Sequence, residues 1–471
     1  MLCSCYFSAL GLECLKFTGG NKMNKKLVLS TITIGLLGSL HVNAAEDLSS
    51  MFSEGKASGQ IREFSISRTM DLSNPTADEY TRNANAVGGY LKYETGALSG
   101  LSFGTAFYTT NGFLNESPKT DYTEVDPTLL GKNNENYSML GEAYIQFKAG
   151  KTAFKAGRQK LDTPMLGSDD ARMLPNLFEA YVLTNTDIAD TTLMAAHVTK
   201  FAQGTFGRAY TGGILAETAG YSAHDTRNQV GEFKNMGTYA INESTEGVSV
   251  LSATHAINKN LKVQLWDYYA HDIMNTIYAQ GDASWNCLVT DMVKPSLSLQ
   301  AIKEDAIGDD LMGKIDSMYW AAKFDAKIQN LTLSLAYSQT EANSATEAAV
   351  NNAIVSPWGG MPAFTQGMVT RHMFLAGTDA SKIAASYNFK DLGANVLATL
   401  YYTNYDMAKN NGYTYGDASE IGFDIIFKPA VVKNLELRLR ANYADDFNVA
   451  NTTGGYTTGW DEYRFIANYN F

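Results

Sequence analysis

The last twelve residues, 460–471, read WDEYRFIANYNF and alternate between two kinds of side chain. Every second position is aromatic or small, namely Tyr463, Phe465, Ala467, Tyr469 and Phe471. The positions between them are mostly charged or polar, namely Glu462, Arg464, Ile466, Asn468 and Asn470. Successive side chains of a β-strand point to opposite faces of the sheet. The stretch therefore predicts a strand with one aromatic face and one mostly polar face.

Alternation with the same period recurs along the chain, for example in 101–107, 331–338, 421–428 and 435–443. Each run has about ten residues, which is the length of a tilted strand that crosses the hydrocarbon layer of a membrane. A chain that ends on Phe471 after regularly spaced aromatic residues resembles the C-terminal signal of bacterial outer-membrane barrels. We therefore expect the barrel-assembly machinery to recognise Phe471.

The pattern predicts eighteen strands, separated alternately by short turns and by long polar segments. They fall at 57–68, 85–95, 100–110, 138–149, 151–159, 178–185, 191–201, 246–256, 261–271, 275–285, 294–302, 315–326, 330–340, 380–389, 392–405, 419–429, 434–446 and 460–471. Short periplasmic turns and long extracellular loops are typical of outer-membrane barrels. The predicted fold class is all-β, with a single transmembrane β-barrel of about eighteen antiparallel strands. Its lumen is too wide for wall side chains to fill, so we expect extracellular loops to fold inward.

The amino terminus has the features of a secretory signal peptide over residues 23–44. A basic start, an apolar stretch over 27–40 and a small-residue cleavage site ending at Ala44 are all present. The preceding residues 1–22 have no targeting pattern, and we interpret them as an untranslated or mis-assigned upstream segment. The barrel domain is then 45–471.

The composition argues against several classes of protein. A net charge of −12 disfavours a nucleic-acid partner, because phosphate binding needs a basic surface. No apolar run reaches about eighteen residues, so no membrane-spanning helix is predicted. The histidines have no metal-ligand spacing such as HExxH, and no GxSxG nucleophile elbow is present. We therefore expect neither an enzyme nor a bound cofactor or metal.

Three segments resemble the OprD family of outer-membrane porins, whose members are substrate-specific channels with eighteen strands. Gly157-Arg158-Gln159, followed by Thr163-Pro164 and by DARMLP at 170–175, is similar to the third extracellular loop of the family. Residues 356–365, SPWGGMPAFT, are similar to an element of its seventh loop. Residues 420–443, EIGFDIIFKPAVVKNLELRLRANY, are similar to its penultimate hairpin. The order and spacing of these segments support the resemblance.

The resemblance implies a pore that inward loops narrow beside a basic wall. The lumen-facing arginines of the first and last two strands would form this basic track, namely Arg62, Arg438, Arg440 and Arg464. Opposite the track, the third loop would contribute the constriction residues Arg158, Asp169, Asp170 and Arg172. The seventh loop would pack inside the barrel through Trp358, Pro362 and Phe364. The row of arginines is shorter than is usual in the family, and an alternative is that they pair with Asp424 or Glu436 to hold the wall together.

The expected function is passive diffusion of small hydrophilic solutes through the outer membrane of a Gram-negative bacterium. A pore sorts solutes by its width and by the charges at its narrowest point. Arginine binds carboxylates with two parallel hydrogen bonds, so the expected solutes are carboxylate-bearing or zwitterionic nutrients. A general, non-selective porin that is a major surface protein is one alternative. A surface adhesin that binds a partner through loops 202–245 and 341–379 is another. Outer-membrane lipid and lipopolysaccharide would surround the barrel, which would be a monomer or a loose trimer.

Overall fold

The computed structural model describes residues 44–70, 80–113, 124–210, 214–222, 231–342, 351–408, 416–449 and 457–471. The predicted signal peptide and the segment before it lie outside these residues, apart from Ala44.

Eighteen long strands, β1 to β18, form the wall of a barrel. Their bounds are Lys56–Met70, Tyr80–Glu94, Leu101–Gly112, Tyr137–Ala149, Thr152–Gln159, Leu177–Asn185, Thr191–Ala202, Val248–Asn258, Leu261–Ala270, Met274–Ser284, Val293–Ala306, Asp316–Ile328, Leu331–Thr340, Thr378–Asn388, Val396–Met407, Ala418–Phe427, Leu435–Val449 and Thr457–Asn470. Each strand pairs antiparallel with the next, and β1 pairs antiparallel with β18 from Gln60 opposite Asn470 to Thr69 opposite Asp461. The sheet is therefore closed, which confirms the predicted fold class and strand number.

The two faces of the wall are chemically distinct, as the alternating sequence predicts. On β18, Tyr463 and Phe465 face outward and are 48% and 44% exposed. Arg464, which lies between them, faces inward and is 2% exposed. An apolar outer face can contact lipid tails because every backbone polar group is paired within the sheet. The inward positions are left to bind loops or to line the lumen.

Some strands are longer than predicted. Strand β2 begins at Tyr80 instead of 85, and β11 continues to Ala306 through the charged residues Lys303, Glu304 and Asp305. Charged residues in a row favour a loop, but here they alternate between the inner and outer faces of the sheet. Glu304 is buried inside the barrel. Lys303 faces outward and lies 2.7 Å from Asp305.

Helices are short and lie outside the wall strands. They comprise α1 (Leu48–Ser53), α2 (Ile214–Thr218) and α3 (Met236–Ile241), and the 3-10 turns Pro127–Leu129, Lys132–Asn134, Thr205–Ala209, His372–Phe374 and Phe389–Leu392. Two-residue strands occur at Ala44–Ala45, Ala97–Leu98 and Lys234–Asn235. Within the described ranges, no helix has the length and apolar character needed to cross a membrane.

The described parts of three long connections fold into the barrel, as predicted. They are the third loop (160–176, after β5), the fourth loop (203–247, after β7) and the seventh loop (341–377, after β13). Their apolar side chains share one core with inward-facing residues of the wall. Phe374 of the seventh loop, for example, packs on Tyr319 of β12 with ring centroids 5.2 Å apart. This core determines where the polar groups of the loops can lie.

Candidate functional site

The four arginines of the predicted basic track line one stretch of the inner wall. Strands β1, β17 and β18 are neighbours in the closed barrel, and their register places Arg464 directly across from Arg440. Arg438 lies two positions along β17 and shares the same face. Arg62 lies across from Asn468 of β18 and is buried. Barrel closure therefore brings the four side chains together.

The arginines of β17 share one acidic partner. Arg438 donates two hydrogen bonds to Asp424 of β16, one of them 2.8 Å from Nε to Oδ1. Arg440 Nε lies 3.3 Å from Oδ2 of the same carboxylate. Glu436, the other acid named from the sequence, instead pairs with Lys428 at 3.1 Å. One carboxylate thus serves two guanidinium groups, which leaves a net positive charge on this part of the wall.

Glu462 of β18 is the centre of a second, fully buried charge cluster. Its Oε1 lies 2.7 Å from Arg172 Nη2 and 2.5 Å from Arg464 Nε. Its Oε2 accepts a hydrogen bond of 2.9 Å from Trp460 Nε1. A buried charge is tolerated when it is paired and hydrogen-bonded. Arg172 therefore anchors the third loop to the wall.

The third loop lies against the basic wall and does not face it across the lumen. Arg62 Nη1 donates a hydrogen bond of 2.6 Å to Asp170 Oδ1 and another to the carbonyl oxygen of Arg172. Arg62 Nε donates to Asn468 at 2.8 Å. The expectation that Asp170 and Arg172 stand opposite the arginines is wrong. The charges of the loop complement those of the wall, and charge-assisted hydrogen bonds hold the two in contact.

Asp169 is the point at which the third, fourth and seventh loops meet. Its Oδ2 accepts hydrogen bonds from the Gly360 amide at 3.1 Å and from the Tyr221 hydroxyl at 3.0 Å. Its φ of 39° is in the left-handed region, where Asp and Asn are the commonest residues after glycine. Burial raises the pKa of Asp169 to about 7, although the positive charge of Arg371 opposes this rise. The carboxyl group that joins the loops therefore titrates near neutral pH.

The seventh loop turns sharply beside the third loop. Gly359 and Gly360 have φ values of 79° and 83°, which favour glycine. A Cβ atom on Gly360 would lie 2.4 Å from the carbonyl oxygen of Pro164, so the close approach of the loops also requires glycine. Trp358 is buried, and its Nε1 donates a hydrogen bond of 3.1 Å to the carbonyl oxygen of Met236. The turn thus fixes the loop against its neighbours.

The next residues of the seventh loop contact the wall formed by β11 and β12. The Pro362 carbonyl oxygen accepts a hydrogen bond of 2.9 Å from the Gln300 side chain. The ring centroid of Phe364 lies 5.5 Å from Lys323 Nζ. Both Pro362 and Phe364 are partly buried. They pack the loop inside the barrel, and Phe364 also lies beside a cation.

Two basic residues that were not predicted from the sequence lie at the seventh loop, Arg371 within it and Lys382 on the wall next to it. Arg371 is 6% exposed, and its Nε and Nη1 have no hydrogen-bond partner among the residues that the structure describes. Lys382 of β14 donates a hydrogen bond of 2.5 Å to the carbonyl oxygen of Gln366. Arg371 reaches this place only through the folding of the loop, which no local sequence pattern indicates.

Residues 50–471 match the sequence model of a known family, described as outer membrane porin, OprD family. The chain belongs to the OprD family of outer-membrane porins. It is therefore a channel protein of the Gram-negative outer membrane. No curated protein matches its sequence.

Solved structures have the same fold as this porin. Pseudomonas aeruginosa OccK9 (OpdG) has a TM-score of 0.71 and 18% identity, over 90% of this chain and 99% of that protein. Acinetobacter baumannii OccAB3 has a TM-score of 0.70 and 18% identity, over 89% and 100%. Pseudomonas aeruginosa OpdK with vanillate has a TM-score of 0.66 and 16% identity, over 88% and 98%. At these identities the similarity shows the fold alone.

Arg158 does not belong to the constriction of the porin. It lies directly across from Glu179 of β6. Their common face also carries the exposed side chains of Phe154 and Tyr181, whereas the adjacent Gln159 is buried inside the barrel. Arg158 therefore points outward. Its predicted place in the constriction is wrong because strand alternation brings Gln159, and not Arg158, to the lumen.

Carboxylates on the wall anchor the seventh loop of the porin. Glu420 of β16 accepts hydrogen bonds from the three successive amides of 368–370, at 2.5, 3.2 and 3.0 Å. Glu304 of β11 accepts one from the Val355 amide at 2.8 Å. Both carboxylates are fully buried. From the sequence, each of these residues can be recognised only as an acid at an inward position of a strand. That pattern does not show that the acid binds loop amides.

Proposed function

We propose that the porin selects small solutes that carry a carboxylate, including zwitterions, as they diffuse through the loop-narrowed part of the lumen. The observation that supports this most is a pair of cations at the seventh loop, namely Arg371, which is 6% exposed, and Lys382, which donates a hydrogen bond to the carbonyl oxygen of Gln366. Like charges in a partly dry site raise the energy of one another. An anion that enters relieves this repulsion.

The acids around this group are already committed to other partners. Glu420 binds the amides of the seventh loop, Asp424 is shared between two arginines, and Asp325 lies 2.9 Å from Lys323. Two nitrogens of the buried Arg371 are without a hydrogen-bond partner in the described part of the chain. Because Arg371 is 6% exposed, we propose that its charge attracts the carboxylate of the solute to this part of the lumen.

The similarity to OpdK is compatible with this proposal. Vanillate, which is named with the OpdK structure, is an aromatic carboxylate. That ligand is a property of OpdK, and for this porin it only suggests a class of compound to test.

Single-channel recording in a planar bilayer tests the proposal. We would add acetate, glycine and a neutral sugar in turn to wild type, R371Q, K382Q and K303Q. We expect acetate and glycine to block the current in a saturable way, and either lumen substitution to weaken this block about tenfold, the value of one charged hydrogen bond. K303Q is the control, because Lys303 faces outward on β11 and pairs with Asp305 and Asp316.

Two results would contradict the proposal, and a third would favour another function. Large current steps that no solute blocks would favour a general, non-selective porin. Equal block of wild type, R371Q and K382Q would remove these cations from the solute path. Normal currents in a loop-deletion variant that no longer binds a host surface would favour the adhesin.

Against an adhesin, Tyr221 and Phe374 in the described parts of the fourth and seventh loops are buried inside the barrel.

A further inference from the structure

We propose that the outward face of β5, β6 and β7 binds the phosphate-bearing headgroup of an outer-leaflet lipid at its extracellular end. The proposed headgroup site is formed by Arg158, Lys200 and the residues around them. It lies on the outside of the barrel, so this inference is independent of the proposed solute selectivity.

Three charged residues lie in a row across these strands. The register places Glu179 of β6 directly across from both Arg158 of β5 and Lys200 of β7. Arg158 Nε lies 3.7 Å from one oxygen of Glu179, and Lys200 Nζ lies 3.0 Å from the other. The side chains of the two cations are 40% and 43% exposed. One acid therefore holds two accessible cations in place and neutralises only one of them.

The row lies near the extracellular ends of β5 and β7, although β4 continues from Ala143, which pairs with Arg158, to Tyr137. Arg158 is one residue from the end of β5 at Gln159, and Lys200 is two residues from the end of β7 at Ala202. These ends lead into the third and fourth loops, and the long loops of outer-membrane barrels are extracellular. The outer leaflet of the membrane is therefore the source of any lipid that meets these residues.

The surroundings add further positive charge. Lys160 follows β5 and is exposed. Lys234, on a two-residue strand that pairs with β7, has a side chain 32% exposed and lies 3.8 Å from Glu232. Because Lys234 pairs with the inward-facing Phe201, it lies on the other face, and the cations on the outer face are Arg158, Lys200 and Lys160 with Glu179 as their acid. The surplus is complementary to a phosphate, which carries one or two negative charges.

An apolar groove borders the row of charges on the outer face. It has a volume of about 380 Å³ and is lined mainly by Leu140, Ala143, Gly157, Ala180 and Tyr181, together with Arg158 and Glu179. Ala143 pairs with Arg158, so Leu140 lies on the loop side of the row and Tyr181 on the side of the membrane centre. Phe233 lies 4.4 Å from the Arg158 guanidinium and supports it. Cations bordered by apolar surface suit an amphipathic lipid, with its phosphate at Arg158 and Lys200 and an acyl chain that passes Tyr181. A free phosphate would use only one part of this surface.

A basic residue elsewhere on the outer face lacks this combination. Lys303 of β11 also faces outward near the extracellular rim, but it lies 2.7 Å from Asp305 and 2.5 Å from Asp316. Its two acids leave no positive surplus. Lys303 is therefore a matched control for the headgroup site.

The test measures lipid-dependent thermal stabilisation of the full barrel in detergent micelles. Micelles are doped with increasing diphosphoryl lipid A, and the unfolding midpoint gives an apparent affinity. We expect wild type and K303Q to respond alike, and R158Q/K200Q to bind about tenfold more weakly because it lacks both charged donors. The double variant should keep the single-channel conductance of wild type, which shows that it is folded.

Four outcomes would overturn the proposal. One is the same lipid response in R158Q/K200Q as in wild type. Another is an equal response to a lipid A preparation from which the phosphates have been removed. An equal response to inorganic phosphate would show an anion site without a lipid. Concentration-dependent cross-linking between barrels through Lys200 would show that a second copy of the chain covers this face.

Discussion

Arg172 Nη2 of the third loop lies 2.7 Å from Glu462 Oε1 of β18, and neither side chain is exposed to solvent. The pair joins residues 290 positions apart in the chain. It fixes the third loop to the basic wall and so sets the width of the lumen at that height.

Removing either member of this pair should destabilise the barrel, and by different amounts. Arg172→Met leaves Glu462 with Arg464 and Trp460. We expect the free energy of unfolding to fall by about 3 kcal/mol, which is the lower end of the range for breaking a buried ion pair. Glu462→Leu leaves two buried guanidinium groups without their acid, so its loss should be larger. Urea unfolding of the barrel in lipid vesicles measures both. Glu436→Gln is the control, because an ion pair this exposed contributes less than about 1 kcal/mol. Equal losses for Arg172→Met and Glu462→Leu would contradict the assignment.

The junction at Asp169 should make stability depend on pH. Burial raises its pKa from an ordinary value near ~3.9 to about 7. Between these values the folded chain holds a proton that the unfolded chain has released. The contribution of protonated Asp169 to the free energy of unfolding is therefore fully present below about pH 4 and is lost as pH rises through about 7. The difference in unfolding midpoint between wild type and Asp169→Asn should fall over this range and stay level above it.

Two other loop residues titrate in the same region and must be separated from Asp169. Burial also raises the pKa of Glu217 to about 7, so its effect has the same sign. Burial lowers the pKa of His372 to about 4, so its contribution is lost as pH falls from about 6.5 to about 4. Asp169→Asn and Glu217→Gln should each remove part of the alkaline loss, and the double variant should lack both parts. A loss as large in the double variant as in wild type would rule out both carboxyl groups as its origin.

Glu420 should control how firmly the seventh loop is held. Glu420→Ala leaves three loop amides without their acceptor, and the current through a single channel should become larger and noisier. Glu420→Gln keeps one oxygen as an acceptor, so its effect should be smaller. Glu436→Gln, near the opposite end of the wall, is the matched control. Unchanged current noise in Glu420→Ala would show that the core around Phe374 holds the loop without this carboxylate.

The strands could be predicted from the sequence because alternation is local. Each strand shows its period in its own residues, and the outward and inward faces of β18 follow directly from 460–471. The four arginines of the basic track could also be predicted, because barrel closure makes the first and last strands neighbours. The end of β11, residues 303–306, could not be predicted, since three charged residues in a row favour a loop.

The contacts of the loops could not be predicted from the sequence. Arg371 reaches the lumen only after the seventh loop has packed on the wall. Asp170 pairs with Arg62, 108 positions away, and this contact depends on closure of the whole barrel. The prediction that Arg158 faces the lumen is wrong by one position, because a shift of one position along a strand reverses the face on which a side chain lies.

The predicted signal peptide gives a test that does not depend on the barrel. We expect the amino terminus of the protein purified from outer membranes to be Ala45, because the cleavage site ends at Ala44. Amino-terminal sequencing checks this directly. Peptides from residues 1–22 in the unprocessed precursor would contradict the interpretation of that segment as untranslated.

Charge on the inner wall should set the ion preference of the channel through the shared carboxylate of Asp424. Replacing Arg438 and Arg440 together by Ala removes two positive charges and leaves Asp424 unpaired and facing inward. The reversal potential under a salt gradient should then shift toward cations, because a lining charge attracts its counter-ion. Asp424→Asn alone should shift it toward anions. The variant that combines all three substitutions carries no charge at these positions, and its reversal potential should lie between those of the other two variants. If the reversal potential is the same in all of them, these residues are not on the ion path.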